Sequence, residues 1–145
     1  MTLIINTGGK LPVDRSFHGI NTWKVINVTN IADIEFKCDV QILWVHVIYA
    51  SSNVVGNRWI RLGLIDSDNV EYVDTHSGQQ QTANLTRHYL FIQGTLRESN
   101  FVDTEIICAM PKYFFVTEGW KLRMGDSADV STADTFTALI QTKMA

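Results

Sequence analysis

The stretch that decides the fold is IEFKCDVQILWVHVIY, residues 34–49. Apolar and polar residues alternate through its first half, and from Ile42 onward the residues on both faces are apolar. Alternation predicts a β-strand, and a strand that is apolar on both faces is typical of the centre of a sheet. We therefore predict one long central strand over residues 34–49, with Trp44 in the protein core. We expect His46, in the same stretch, to be a hydrogen-bonded core imidazole and not a metal ligand.

The rest of the chain carries the same β-strand signals. Short runs rich in Val, Ile, Thr and aromatic residues are separated by Gly, Asn, Asp and Ser, and helical periodicity is nearly absent. Further strands are predicted at residues 21–28, 59–65, 70–73, 85–93, 101–110, 113–116, 120–124 and 135–142. The sequence DSDN at residues 66–69 predicts a hairpin turn, because Asp and Asn tolerate turn dihedrals and bond to nearby backbone amides. Residues 75–84, which include a run of glutamines, are polar enough to predict an exposed loop.

These patterns predict an all-β protein. About eight or nine strands with regular turn signals, and no helix to serve as a parallel crossover, favour an antiparallel β-sandwich of the jelly-roll type. The 145 residues suit one domain, which we place at residues 20–145. Residues 1–19 are predicted to form an extended N-terminal arm, because glycines at residues 8–9 and then Pro12 separate the apolar start from the strand-rich body. The alternative is that Leu3 to Ile5 form an edge strand of the protein's own sheet.

Composition weighs against several classes of function. The 12 Lys and Arg residues against 15 Asp and Glu residues give a net charge of −3, whereas a nucleic-acid-binding protein normally has a basic excess. The longest apolar run, Ile42 to Ala50, is far shorter than the about twenty residues that a membrane helix needs. The first residues lack the basic start and long apolar run of a secretion signal, so we expect Cys38 and Cys108 to be reduced. We expect neither nucleic acid nor a membrane as a partner.

The sequence contains no recognisable constellation of catalytic or metal-binding residues. The histidines lack the spacing of a metal site, and no Gly-x-Ser-x-Gly motif marks a nucleophile. His76 and Ser77 are neighbours on an extended chain, so their side chains are expected on opposite faces, and both His76 and His88 are expected to be solvated. We therefore predict no catalytic residues, no metal and no cofactor. Two alternatives stay open: carboxylates such as Glu71 and Glu105 meeting across a sheet, and tryptophans stacking on a sugar instead of packing in the core.

From residue 58 onward, the order of several features resembles a known group of proteins. A basic and apolar hairpin, WIRLGLID at residues 59–66, is followed by a loop of Gln and Thr and then by LTRHY at residues 85–89. The stretch PKYFFVTEGWKLR, residues 111–123, joins a proline, an apolar pair, a small turn, a Gly-aromatic pair and a basic strand. In these features residues 58–145 are similar to small β-sandwich structural proteins of tailed-bacteriophage virions, of the capsid cement or decoration type. The residues before them do not share the resemblance.

The resemblance implies a function and partners. It implies a non-enzymatic virion protein, assembled in the host cytoplasm, that forms a homotrimer and that binds and stabilises the shell of major capsid protein. In this interpretation the N-terminal arm contacts the partner through Leu3, Ile4, Ile5, Leu11 and Pro12.

Two other functions are kept as alternatives. The first is a receptor- or carbohydrate-binding module of a phage tail or fibre, with specificity carried by exposed loops at residues 75–84 and 126–134. The second is a hydrolase on a sandwich fold. It ranks last because no acid, base and nucleophile can be identified together.

Overall fold

The structure is a computed structural model that describes residues 2–5, 20–94, 99–102 and 105–145. These residues form twelve β-strands and no helix, in two sheets with the core between them, so the predicted all-β sandwich is confirmed, with more strands than expected. The strands are β1 (Thr2–Ile5), β2 (Ile20–Thr29), β3 (Ile31–Phe36), β4 (Val40–Ala50), β5 (Ile60–Ile65), β6 (Glu71–His76), β7 (Thr86–Ile92), β8 (Ser99–Val102), β9 (Glu105–Ala109), β10 (Phe115–Val116), β11 (Lys121–Asp126) and β12 (Thr135–Met144).

The strand order is that of a jelly roll. The five-stranded sheet has the order β1-β3-β11-β5-β6, and the seven-stranded sheet has the order β2-β12-β4-β7-β9-β8, with β10 paired to β4. Within these sheets, β2-β12-β4-β7 and β3-β11-β5-β6 form the interleaved double Greek key of a jelly roll. The strand count exceeds the prediction because β1, β8, β9 and β10 are added to this body.

Neighbouring strands are antiparallel except at two places. β1 runs parallel to β3, and β7 runs parallel to β9. The parallel pairing of β7 with β9 arises because β8 and β9 form an antiparallel pair in which the later strand, β9, lies against β7. The predicted single strand over residues 101–110 is therefore wrong, since β8 ends at Val102 and β9 begins at Glu105.

The predicted long strand over residues 34–49 is two strands in different sheets. β3 belongs to the five-stranded sheet and ends at Phe36, whereas β4 begins at Val40 in the seven-stranded sheet. Phe36 and Val40 are both buried in the core between the sheets. The alternation continues through the bend at residues 37–39 because both strands turn their apolar residues toward this shared core. The pattern therefore follows a chain that crosses from one sheet to the other.

The hydrophobic core fills the space between the two sheets. Inward-facing residues of both sheets contribute to it, among them Ile34, Ile42, Phe91 and Leu122. Burial of one such side chain contributes about 1.5–3 kcal/mol of transfer free energy. This shared core fixes which residues of each strand remain for the two outer faces.

One end of the sandwich is closed by buried polar side chains. Arg58 and Asp134 are both fully buried and form an ion pair with 2.7 Å between Nε and Oδ2. The Asp134 carboxylate also accepts hydrogen bonds from the backbone N–H and the hydroxyl of Ser52. Burial by itself raises the pKa of Asp134, but the hydrogen bonds from Arg58 and Ser52 outweigh it and hold the pKa below its usual value. Asp134 is therefore a carboxylate in the folded protein at neutral pH.

The predicted exposed loop over residues 75–84 is wrong in part. β6 extends through His76, and Gln81 is fully buried. The Gln81 amide donates a hydrogen bond to the carbonyl of Leu85 at 2.8 Å, and its Oε1 accepts one from the Tyr89 hydroxyl at 2.9 Å. A polar side chain whose donors and acceptors are paired can be buried, so hydropathy alone misplaces this segment.

The described part of the predicted arm lies at one edge of the five-stranded sheet. β1 pairs with β3 in parallel, with Leu3 opposite Ile34. The backbone of Leu3 to Ile5 thus forms an edge strand of the protein's own sheet, as the alternative prediction had it. Leu11 and Pro12 lie outside the described residues. Contact of the N-terminal residues with a partner stays a prediction.

Candidate functional site

The two outer faces of the sandwich differ in polarity. On the five-stranded sheet, Arg123 of β11 donates two hydrogen bonds to Asp33 of β3, at 2.7 and 2.8 Å. Arg61 of β5 pairs with Glu71 of β6 at 2.8 Å. Ion pairs of this kind are typical of a sheet face in contact with water.

The central part of the outer face of the seven-stranded sheet is mostly apolar. Val45 and Val47 of β4 point into the core, so the alternate residues of β4 point outward. Leu139 of β12 and the apolar outward residues of β7 and β9 continue the same surface. We call this surface the apolar face; its members are Trp44, His46, Ile48, His88, Leu90, Ile92, Ile107 and Leu139.

Strand pairing arranges the apolar face in rows. Leu139, His46, Leu90 and Ile107 occupy paired positions on β12, β4, β7 and β9. In the next row, Ile92 lies opposite Trp44. Paired residues on one face of a sheet have Cβ atoms about 5 Å apart, so their side chains meet and form a continuous surface.

A hollow of about 520 Å³ lies within the apolar face. This volume is in the range of small-molecule sites, about 300–1,000 Å³. The polar side chains in its lining belong to His46, His88 and Glu105. The apolar side chains in its lining are those of Trp44, Leu90, Ile92 and Ile107, whereas Ile106, which also borders the hollow, has its side chain in the core. The hollow is therefore suited to receive apolar groups, with a few polar atoms to orient them.

His46 and His88 form a close pair in this lining. Nε2 of His46 lies 3.1 Å from Nδ1 of His88, and the ring centroids are 5.2 Å apart. Burial lowers the pKa of His46, and the nearby His88 lowers it further, while Glu105 acts in the opposite direction. The state in which His46 is neutral and one ring donates its N–H to the other ring is therefore favoured.

The predicted core position of Trp44 and the predicted solvation of His88 are wrong, and the prediction for His46 is right about its hydrogen bond but wrong about its position in the core. Trp44 and His46 are partly buried on the outer face instead of lying in the core, and His88 is paired with His46 instead of being solvated. Because the residues of β4 are apolar on both faces, the sequence does not distinguish its inward from its outward set. The histidines are 42 residues apart and meet only through the pairing of β4 with β7.

A second aromatic surface lies on the opposite sheet. The rings of Tyr72 and Trp120 are stacked, with centroids 5.6 Å apart and planes 15° apart. Tyr72 is 62% exposed, whereas Trp120 also packs against the core. A hydrogen bond from the Tyr72 hydroxyl to the Asp66 carboxylate raises the pKa of Tyr72.

The residues that the sequence suggests for metal or acid-base chemistry do not come together in the described part of the chain. Three or more His, Cys, Asp or Glu residues are nowhere grouped there to hold a metal ion. The buried Ser77 hydroxyl accepts a hydrogen bond from the Ile60 N–H and donates one to the Gln79 carbonyl, so it is part of the loop structure. Glu71 and Glu105 belong to different sheets and do not form a carboxylate pair.

Among the sequence-predicted partner residues, the described ones, Leu3 to Ile5, lie apart from this site. Leu3 to Ile5 belong to the five-stranded sheet, and the apolar face belongs to the other sheet.

Cys38 and Cys108 are both free thiols. Within the described ranges there is no helix with the length and apolar character needed to cross a membrane. Comparison with known protein families and with curated proteins finds no match for this chain.

Proposed function

We propose that this chain is a non-enzymatic structural protein of a tailed-phage virion. Its role in this proposal is that of a capsid cement or decoration protein, which binds and stabilises the shell of major capsid protein. The observation that carries the proposal is the apolar face. The sandwich already has a core between its sheets, so a second apolar surface is not needed for that core and is available for contact between the many copies that such a protein places on a shell.

The jelly-roll body supports the same proposal. Jelly rolls form viral capsid domains as well as lectins and cupins, so the fold alone does not select a function. A shell-binding protein present in many copies needs a rigid scaffold with separate surfaces for different neighbours. Here the apolar face and the outer face of the five-stranded sheet, which carries the ion pairs, lie on opposite sides of one body. Residues 58–145 also resemble cement proteins in their order of features.

The N-terminal residues supply a further surface in this proposal. β1 stands at the end of the strand order, so one side of its backbone has no strand neighbour among the described residues. An edge strand of this kind can pair with a strand of another chain through main-chain hydrogen bonds. We assign contact with the shell to Leu3, Ile4, Ile5, Leu11 and Pro12, and contact between copies to the apolar face.

The test is whether the chain is part of a particle. Virions purified on a density gradient are digested and analysed by mass spectrometry, and we expect the chain at a fixed ratio to the major capsid protein. Particles assembled without it are expected to release their DNA at a lower temperature, and added protein is expected to restore the original temperature. Absence from the particles, or an unchanged release temperature, would contradict a stabilising role.

A receptor- or carbohydrate-binding module of a tail or fibre is the second candidate, and the stacked pair of Tyr72 and Trp120 favours it. Exposed aromatic rings offer a large apolar area with a defined geometry, which suits the face of a sugar ring. Titration with oligosaccharides of the host envelope is expected, for this function, to change tryptophan fluorescence saturably. The change should be lost in Tyr72→Ala and kept in Leu90→Ala, on the other sheet. A hydrolase ranks below both candidates, because no acid, base and nucleophile converge among the described residues.

A further inference from the structure

We propose that the apolar face is a self-association surface, on which two copies of this chain pack face to face about a two-fold axis parallel to their strands. The inference deepens the proposed function and rests on it for the expectation that copies contact one another. It adds the symmetry, a two-fold dimer in place of the homotrimer that the resemblance implies, and the residues that set the orientation.

Two charged residues flank the apolar face on opposite sides. The strand order of this sheet is β2-β12-β4-β7-β9-β8, and β4 is the middle one of the five strands from β2 to β9. Lys24 of β2 is paired with Leu139 and is exposed, so it lies on the same side of the sheet. Glu105 of β9 is paired with His88 and is also exposed. The part of the sheet from β2 to β9 is therefore positive on its β2 side and negative on its β9 side.

A two-fold axis parallel to β4 brings these opposite charges together. Rotation about this axis lays β2 of one copy over β9 of the other. Lys24 then covers the partner's Ile107, about 7 Å along the strand from the partner's Glu105, which is within reach of the long Lys side chain. Symmetry produces this contact twice. An axis across the strands instead places Lys24 over the partner's Lys24, where like charges repel.

The same rotation brings apolar residues together at the centre of the face. β12 of one copy lies over β7 of the other, so Leu139 meets the partner's Leu90 at the hollow. The two β4 strands lie over each other, with Trp44 and His46 of each copy near the axis. The hollow is thus filled by the partner's side chains, and the exposed apolar area is removed from water.

The size of the face fits a reversible interface. Five strands spaced about 4.8 Å apart, over a length of about 20 Å, cover about 500 Å² per copy. Two such faces bury about 1,000 Å², which is at the lower end of specific protein interfaces. Two sheets packed face to face about 10 Å apart are a common arrangement in proteins. We therefore expect a dimer that dissociates in the micromolar range.

Sedimentation equilibrium of the full chain tests this interface without a particle. Wild-type protein is expected to pass from monomer to dimer between about 1 and 100 μM. Leu90→Asp places a charge at the centre of the face and is expected to leave a monomer. The matched control is Tyr72→Asp on the opposite sheet, which is expected to dimerise like the wild type. Circular dichroism melting curves show whether both variants are folded.

A charge exchange tests the orientation and does not depend on the Leu90 variant. Lys24→Glu and Glu105→Lys are each expected to raise the Kd about tenfold, and the double variant is expected to recover the wild-type Kd, because the pair is restored with reversed polarity. A monomer at all concentrations, a trimer, or a double variant no tighter than the single ones would overturn the inference. Loss of shell binding in a protein that still dimerises would instead contradict the proposed function and leave this interface standing.

Discussion

Arg58 and Asp134 form an ion pair that is fully enclosed by the sandwich, with 2.7 Å between Nε and Oδ2. The guanidinium group also donates hydrogen bonds to the backbone carbonyls of Val54 and Gly56, and the carboxylate accepts two from Ser52. The pair joins the segment before β5 to the residue before β12. Because a buried charge is tolerated only with its partner, these two side chains are expected to be among the most sensitive in the fold.

Asp134→Asn is expected to lower the free energy of unfolding by about 3–5 kcal/mol, because it leaves Arg58 buried without its counter-charge. The matched control is Asp33→Asn, which removes the partner of Arg123 from a pair of the same 2.7 Å length on a partly exposed face. That change is expected to cost less than about 1 kcal/mol. Both values come from denaturant unfolding curves. Equal losses of unfolding free energy in the two variants would show that burial of the Arg58–Asp134 pair does not make it more important for stability than the partly exposed pair.

Gly125→Ala is expected to lower the free energy of unfolding by more than about 3 kcal/mol, or to prevent folding. Gly125 has a φ of +127°, and a Cβ atom there would overlap the backbone of Asn30 and Ile31, which cannot move aside like a flexible side chain. Gly119→Ala is the control, since Gly119 has a φ of +84° with nothing within 4 Å of the added atom. We expect only conformational strain of about 1 kcal/mol there. Thermal melting compares the two variants. Similar losses of stability would contradict the close approach of Gly125 to the backbone of Asn30 and Ile31.

The stability of the monomer is expected to fall as the pH drops below about 6.5, the usual pKa of histidine. Burial lowers the pKa of His46 in the folded protein, His88 adds to this effect, and Glu105 opposes it. The unfolded chain therefore binds a proton at a higher pH than the folded chain does. The contribution of His46 is complete above the unfolded pKa and is lost as the pH falls toward the folded pKa.

The variant His46→Phe is expected to flatten this part of the pH profile. The measurement is the denaturant midpoint between about pH 8 and pH 5, a range that brackets the usual pKa of histidine, at a concentration where the protein is monomeric. If the variant keeps the pH dependence of the wild-type stability, another titratable group is responsible for that dependence.

Removal of residues 1–12 separates the two interpretations of the N-terminus. β1 pairs with β3 at the end of the strand order, so its loss uncovers the edge of β3 and leaves the pairing of the other described strands intact. We expect an unchanged circular dichroism spectrum and weaker co-sedimentation with particles that lack the chain. If the truncated protein binds the particles normally and has a normal melting curve, the N-terminal residues do not contact the partner. A collapsed melting curve would show that the protein's own sheet requires β1.

The all-β class was predictable because its signals act over a few residues. The turn at residues 66–69 is an example: the Asp66 carboxylate accepts hydrogen bonds from the N–H groups of Asp68 and Val70, as Asp does in turns generally. Assignment of strands to sheets depends instead on pairing between distant residues. β3 and β4 share one unbroken alternation and yet lie in different sheets, so no local rule could divide them.

The candidate site was not predictable for a related reason. The run after Ile42 is apolar on both faces, and this is the sequence signal of the apolar face, but it is equally the signal of a strand with a layer on each side. The pairing of His46 with His88 depends on the register of β4 against β7. Gln81 was misplaced because its burial depends on partners that the local sequence does not reveal.

Attachment of this jelly roll to a phage shell is decided by imaging the particle with and without the chain. Electron cryomicroscopy of both particles yields a difference map. We expect sandwich-sized density repeated at lattice positions on the outer surface of the shell, with the apolar face turned toward another copy of the chain and the N-terminal edge of the five-stranded sheet against the capsid protein. A difference map without density on the shell, or with density confined to the tail, would contradict the cement role.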